Sequence, residues 1–472
     1  MSKLDPDEAE RIAAWLERLA EDRGPLSELP DDLRLRLLIA AGRVSRPDEK
    51  DKRAVNRSKR KEAKNARREA DRQLLDRTRI RVDRAAPLFL TPRKRGEELP
   101  DEPLGELSEA RVCYVCRAPY TEVHAFYDQM CRTCGDASFA KRSQTADLRG
   151  RVAIVTGGRV KIGYQTAILL LRAGAAVHVT TRFPRDAARR FAAEVDFEEW
   201  RDRVHVWGID LRHTPSVEAL CTRLLQELDR LDVLINNACQ TVRRPPGFYQ
   251  HLMDGEALPL GDTEGALVPE LVAPSARMTQ LALLPEDLQS GGHLFPAGRL
   301  DQDLQQIDLR TVNSWRLKLA EVPTIELLEV HLVNAVAPFV LCARLKPLFQ
   351  RAGTRDGHIV NVSAMEGQFY RTMKTDRHPH TNMAKAALNM LTRTSAADYV
   401  ADGIHMNSVD TGWVTDEDPA AKAEEKREMH GFHPPLDIVD GAARICDPVF
   451  VGHLTGEHPW GRFFKDYKDT DW

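Results

Sequence analysis

From Leu148 onward the chain alternates short apolar runs with helix-compatible stretches, and this pattern restricts its fold more than any other feature. The runs are VAIVTGG, AAVHVTT, VHVWGID, LDVLINN, GHIVNVS and IHMNSVD. Strands alternating with helices at this spacing argue for an α/β, doubly wound parallel sheet. One long stretch, about 240–325, is rich in Pro, Gly and Leu, has no clear period, and reads as an insertion. No internal repeat is present.

A chain of 472 residues exceeds one small domain. The division expected is a helical region with a basic arm and linker over 1–105, a small cysteine module over 106–146, and the doubly wound domain over 147–472. Two short helices are expected before residue 45, the first placing Ile12, Trp15, Leu16 and Leu19 on one face and stopping at Gly24. Residues 50–84 then carry 15 Lys/Arg against 6 Asp/Glu. This segment reads as a solvated helix or flexible connector. The sharper alternative is a phosphate- or nucleic-acid-binding arm, which interleaved aromatics do not support. Residues 90–103 read as a linker punctuated by Pro and Gly. The formal net charge of −3 points to no single global partner. The first residues lack an apolar signal core, and no run approaches the roughly 20 apolar residues of a membrane helix, so a soluble, cytoplasmic protein without membrane association is expected.

Four of the eight cysteines fall in CYVCRAPYTEVHAFYDQMCRTC, as two C-x2-C pairs fourteen residues apart. Two such knuckles supply the four soft ligands of a closed tetrahedral Zn²⁺ site, with Cys113, Cys116, Cys131 and Cys134 as ligands. A closed four-thiolate site is structural, and it would staple a segment too small for its own core. Its expected use is docking, onto the main domain or onto a macromolecular partner. The remaining cysteines are scattered, which fits a reducing compartment.

GRVAIVTGGRVKIGYQTAILLL runs strand, glycine-rich turn, helix, an order that points helix N-terminal amides at a pyrophosphate. The turn resembles that of the short-chain dehydrogenase/reductase family, T-G-x-x-x-G-x-G. Thr156, Gly157 and Gly163 match, with Gly158, Arg159 and Ile162 at variable positions of the turn and Lys161 where the middle glycine stands. The resemblance implies a Rossmann-type domain that binds a nicotinamide dinucleotide, and Lys161 adds both a Cβ and a positive charge beside the phosphates. At the end of the second strand stand Thr180, Thr181 and Arg182 with no carboxylate, which favours NADP(H) over NAD(H) because an arginine suits a 2′-phosphate. Asp210 with Leu211 matches the family's adenine-side aspartate, and Asn236, Asn237 and Ala238 match its N-N-A-G motif, with Cys239 in place of the glycine.

The same resemblance covers roughly 148–240 and 325–470, and it implies a catalytic tetrad. Asn334, Ser363 and Lys385 match the family Asn, Ser and Lys, and Gly412 and Val414 match the loop over the nicotinamide. The family tyrosine is replaced by Thr381, whose hydroxyl is too weak an acid for Lys385 to tune. The longer loop before it carries Tyr370, His378 and His380, any of which is a candidate for the missing proton donor. Arg243 and Arg244 in the insertion are candidates for binding an acidic substrate group. The function expected is an NADP(H)-dependent oxidoreductase acting on a small carbonyl or hydroxyl substrate through an altered acid. The alternative is an inactive NADP(H)-binding scaffold or sensor. A homo-oligomer is compatible with both.

Overall fold

Among the described residues, eight strands form one sheet, ordered from one edge as β10 (Lys468–Thr470), β9 (Phe463–Lys465), β8 (Ile404–Asp410), β7 (Gly357–Ser363), β6 (Val233–Asn236), β3 (Val152–Thr156), β4 (Ala176–Thr181) and β5 (Val204–Gly208). The computed structural model describes residues 5–46, 48–92, 99–100, 102–268, 275–288, 293–370 and 374–472. Parts of the expected linker (93–98, 101), of the insertion (269–274, 289–292) and of the loop before Thr381 (371–373) lie outside the described residues. In the sheet, β3, β4, β5, β6, β7, β8 and β9 run parallel. Only β10, among the described strands of this sheet, runs antiparallel, on β9.

Successive side chains of a strand point to opposite faces, so a sheet covered on both sides needs apolar residues at every position. Ala153 and Val155 pack with Leu170, Leu171, Val449 and Phe450 on one face. Ile154 packs with Leu220, Leu224, Leu341 and Leu345 on the other. Helices Lys161–Arg172, Pro184–Ala192 and Ile438–Thr455 pack on the first face, and Thr214–Glu227, Ala337–Ala352 and Pro379–Ala401 on the second.

The aromatic C-terminal tail adds β9 and β10 to the sheet edge. Their two-residue turn places Asp466 at φ 47 and Tyr467 at φ 65, the left-handed pair that a tight hairpin requires. One difference from expectation concerns length and apolarity. Helix Thr324–Ala352, with a π-helical turn at Leu332–Val336, is long and apolar enough by composition to cross a membrane, contrary to the expectation that no run is. Here its residues Leu341, Leu345 and Leu348 are fully buried in the core.

The chain divides between Asp71 and Arg72 into two compact units. The first holds helices Pro6–Glu21, Gly24–Ser27 and Asp31–Ser45, one more than expected, because Pro25 opens a further turn after the Gly24 stop. The basic segment is helical over Glu49–Asp76, and its described side chains are exposed over 52–70.

The second unit joins residues from Arg72 onward, including the cysteine module, to the doubly wound domain. The module consists of β1 (Glu106–Val112) and β2 (Pro119–Glu122), paired antiparallel, and helix Arg132–Arg142. Leu75, Ile80, Phe126, Tyr127 and Met130 share one buried cluster with Val414, Leu436 and Val439. Ion pairs Lys141–Asp447 (2.6 Å) and Arg142–Asp437 (2.7 Å) reinforce this contact. The boundary expected at residue 105 therefore falls inside a shared core.

Candidate active site

A cleft of about 1430 Å³ opens at the carboxyl ends of the parallel strands. That is where an open α/β sheet places its ligand. The glycine-rich turn forms its floor. Gly157 sits at φ +69, and a Cβ there would lie 3.0 Å from Ala238 Cα. A Cβ on Gly163 would lie 2.3 Å from both the Asn237 amide nitrogen and the Gly157 carbonyl. Asn237 Nδ2 donates to the Thr156 carbonyl at 3.0 Å, and the Ala238 amide donates to Thr156 Oγ1 at the same distance. Gly158 packs behind the turn against Val179. Lys161 adopts φ 56, the left-handed conformation that glycine takes freely. The turn thus keeps its glycine-type backbone at a cost of roughly 1–2 kcal/mol, and the lysine lines the cleft at the N-terminus of helix Lys161–Arg172.

Arg159, Ile162, Gly163, Arg182, Asp210, Leu211, Asn237 and Ala238 line the same cleft. Arg182 donates to the Tyr249 hydroxyl at 2.8 Å and stacks over that ring. Arg159 is buried, bonded to Asp186 and Gln305 at 2.6 Å each. Asp210 is held by Arg212 at 2.7 Å, and burial, which would raise its pKa, is outweighed by that arginine. The insertion therefore braces the cleft through Tyr249 and Gln305. Arg243 and Arg244, candidates for an acidic substrate, are occupied inside the insertion. Arg243 forms a buried bidentate pair with Asp287 at 2.6 Å, and Arg244 pairs with Asp308.

Ser363 ends β7, Thr381 and Lys385 lie one turn apart on helix Pro379–Ala401, and all three line the cleft. Lys385 Nζ donates to the Val362 carbonyl at 2.7 Å. Ser363 Oγ and Thr381 Oγ1 are buried and have no hydrogen-bond partner among the described residues. Buried hydroxyls are nearly always bonded, so two orphans facing one cleft fit a ligand oxygen. Asn334 sits behind the cleft in the π-helical turn, clamping the Gln240 backbone through both its Oδ1 (2.7 Å) and its Nδ2 (3.2 Å).

The three candidate proton donors separate. His380 precedes Thr381 by one position, so the helix turns it about 100° away. It is buried 3.4 Å from Glu326 and does not line the cleft. Tyr370 is half exposed, with its hydroxyl 3.3 Å from that of Thr470, and is also outside the lining. His378 does line it, at φ 42, stacked on Trp315 at 3.8 Å with Nδ1 3.1 Å from Asn382 Oδ1. Burial lowers the His378 pKa, so the ring is neutral near pH 7.

Sequence reasoning missed one wall entirely. Val112, Tyr114, Arg117 and Gln129 of the cysteine module line the cleft beside Gly412 and Val414. Tyr114 accepts a hydrogen bond from the Trp413 amide at 3.0 Å, and Lys465 lies 5.5 Å over its ring. The four sulfurs of Cys113, Cys116, Cys131 and Cys134 lie within 4.8 Å of one another, with Cys116 and Cys131 at 3.7 Å. Tetrahedral Zn–S bonds of about 2.3 Å put sulfurs about 3.8 Å apart, so this donor set fits such an ion.

The family model described as short chain dehydrogenase matches residues 151–252, and the one described as Enoyl-(Acyl carrier protein) reductase matches 311–435. An uncharacterised protein, R665 of Acanthamoeba polyphaga mimivirus, is 31% identical over 72% of this chain and 71% of its own length. The chain belongs to the short-chain dehydrogenase/reductase family. Matches to named relatives of this SDR family are shorter. Dehydrogenase/reductase SDR family member 13 of Bos taurus is 38% identical over 21% of this chain and 27% of its own length. Retinol dehydrogenase 11 of Mus musculus is 34% identical over 23% and 36%. Among solved structures, the Pseudomonas aeruginosa RhlG/NADP active-site complex has 18% identity and a TM-score of 0.43, covering 67% of this chain and 95% of that one. The two SDR matches leave residues 253–310, within the insertion, unmatched, and the cysteine module lies ahead of both.

Proposed function

We propose that this SDR protein is an NADP(H)-dependent oxidoreductase that interconverts a carbonyl and a hydroxyl group through an altered proton donor. The observation that carries the reading is the convergence of Ser363, Thr381 and Lys385 with the glycine-rich turn on one cleft. Gly157, Lys161 and Gly163 would hold the pyrophosphate, Arg182 the 2′-phosphate and Lys385 the nicotinamide ribose. The cradles that a Cβ would fill at Gly157 and Gly163 fit such a group. When bound, the dinucleotide supplies or accepts a hydride.

Around it, the orphan hydroxyls of Ser363 and Thr381 bind the substrate oxygen. His378 takes the place of the phenol as proton donor, because of the three candidates it is the one on the cleft wall. A donor must be protonated, and burial lowers the His378 pKa, so carbonyl reduction falls as pH rises through that value. Zn²⁺ in the four-cysteine site is structural in this reading and holds the Tyr114 wall in place.

The test combines calorimetry with NADPH and NADH and a screen of carbonyl substrates followed by NADPH absorbance. Lys385→Ala should abolish turnover. Arg182→Ala should weaken NADPH at least tenfold while leaving NADH nearly unchanged. His378→Asn, which tolerates the left-handed backbone, should remove the fall of carbonyl reduction with rising pH. Failure of both dinucleotides to bind would overturn the reading.

A further inference from the structure

The end of the sheet opposite the cleft carries a cluster of histidines that the oxidoreductase reading does not use. His358 on β7 and His405 on β8 are direct partners in the parallel register. His458, just past helix Ile438–Thr455, closes on them, with its Nδ1 2.8 Å from His358 Nε2. One ring nitrogen from each of the three lies within 4.8 Å of the others. His358 is fully buried and His458 is half-buried, so the cluster is anchored in the core and open on one side.

We propose that His358, His405 and His458 form a second metal site, for a divalent late first-row ion such as zinc. Imidazole is the protein ligand suited to zinc, copper and nickel, and neutral rings are the ligating form. Burial lowers the pKa of each of the three rings. The tautomer is set at His405. Its Nδ1 lies 3.1 Å from the Gly357 carbonyl, so that nitrogen carries the proton and Nε2 presents a lone pair. A backbone carbonyl orienting a ligating histidine in this way is the usual outer shell of such sites.

The hydrogen bonding of the cluster is incomplete among the described residues. His358 Nδ1 is buried with no hydrogen-bond partner among the described residues, as is Nε2 of the neighbouring His453. The other nitrogen of His453 lies 4.0 Å from Asp356, whose charge Arg151 already matches at 2.6 Å. The backbone also makes room for the rings, since a Cβ on Gly452 would fall 2.5 Å from His458 Nδ1 and 2.9 Å from His358 Nε2.

Zn–N bonds of about 2.1 Å place tetrahedral nitrogens about 3.4 Å apart, so small ring rotations, breaking the His358–His458 hydrogen bond, bring the set to bonding distance. Three imidazoles leave a fourth position for water on the side of His458. The ion would clamp β7, β8 and the segment after helix Ile438–Thr455. His358 and Ser363 are five residues apart on one strand, about 16 Å, so the site is separate from the cleft.

The test uses the full-length protein loaded with zinc and counted by elemental analysis after gel filtration. Two ions per chain are expected, and one per chain in His458→Gln and in His405→Gln, with the second equivalent bound at least 100-fold more weakly by calorimetry. Cobalt distinguishes the sites, because the cysteine site gives intense thiolate charge-transfer absorption and the second equivalent adds visible bands without it. Anomalous scattering at the zinc edge locates the ion even if a variant fails to fold. Saturation of the wild type at one equivalent, retention of the second in either variant, or no anomalous peak at the imidazoles would overturn the proposal.

Discussion

The Tyr114 hydroxyl, one residue beyond Cys113, accepts a hydrogen bond from the backbone amide of Trp413 at 3.0 Å. The cysteine module is therefore part of the cleft rather than an appendage to it. Tyr114→Phe leaves that amide without its acceptor, but the contact is exposed and water replaces it, so the loss in stability is about 1 kcal/mol or less. NADPH affinity should fall about tenfold at most, with the thermal midpoint little changed. Calorimetry and thermal scanning on the same sample check this, and unchanged affinity would show that the contact is only decorative. Stripping the metal with a strong chelator should reproduce the defect and lower the midpoint as well, because the knuckle itself unfolds.

Lys161 holds a glycine-type backbone at φ 56 while adding charge beside the helix N-terminus. Lys161→Ala keeps the strained conformation and removes the charge. Lys161→Gly removes both. If the charge matters, the two variants should weaken NADPH similarly, each by about fivefold, an amount typical of one lost charge-assisted contact at partial exposure. A much weaker Ala variant with a normal Gly variant would instead assign the effect to the backbone. Gly163→Ala, whose Cβ would meet Asn237 and the Gly157 carbonyl, should lose cofactor binding outright.

Thr381 Oγ1 is a buried hydroxyl without a partner among the described residues. Thr381→Val removes it at constant shape, so stability should be unchanged or higher by up to about 1 kcal/mol. Turnover should nevertheless fall, because the hydroxyl serves the substrate. Chemical denaturation and steady-state kinetics separate the two effects. A drop in stability would mean that Thr381 is bonded within the protein.

Arg243 is buried between Asp287 and Glu329. Asp287→Ala leaves the guanidinium with Glu329 alone and should destabilise the insertion by about 3 kcal/mol. Hydrogen exchange should accelerate over 283–288 and 309–316 while the sheet stays protected. Global loss of protection would contradict a local role.

His178 accepts from the Trp207 indole at 3.0 Å and stacks on His205 at 4.5 Å. Burial, with His205 second, lowers its pKa to about 3. The unfolded chain titrates near 6.5, so the unfolded state binds the proton first. The neutral ring's contribution is present in full above pH 6.5 and is lost as pH falls toward the folded value, about 2 kcal/mol by pH 5. Urea unfolding at pH 7 and 5 should show this loss in the wild type and a smaller one in His178→Gln.

The doubly wound sheet was legible because its signals are local. Apolar runs, a glycine-rich turn and helix spacing lie between neighbouring residues, and covalent geometry transmits them directly to structure. The same holds for the paired cysteines and for Ser363, Thr381 and Lys385, whose places follow from one strand end and one helix face. Packing over long separations was not legible. Tyr114 and Trp413 stand 299 positions apart, and nothing near either announces the other. The occupation of Arg243 by Asp287 and the turning of His380 toward Glu326 likewise depend on which surfaces meet. Sequence alone determined the elements and the chemistry they carry. Tertiary structure decided which groups share the cleft, because burial and opposing charge act between surfaces that only folding brings together.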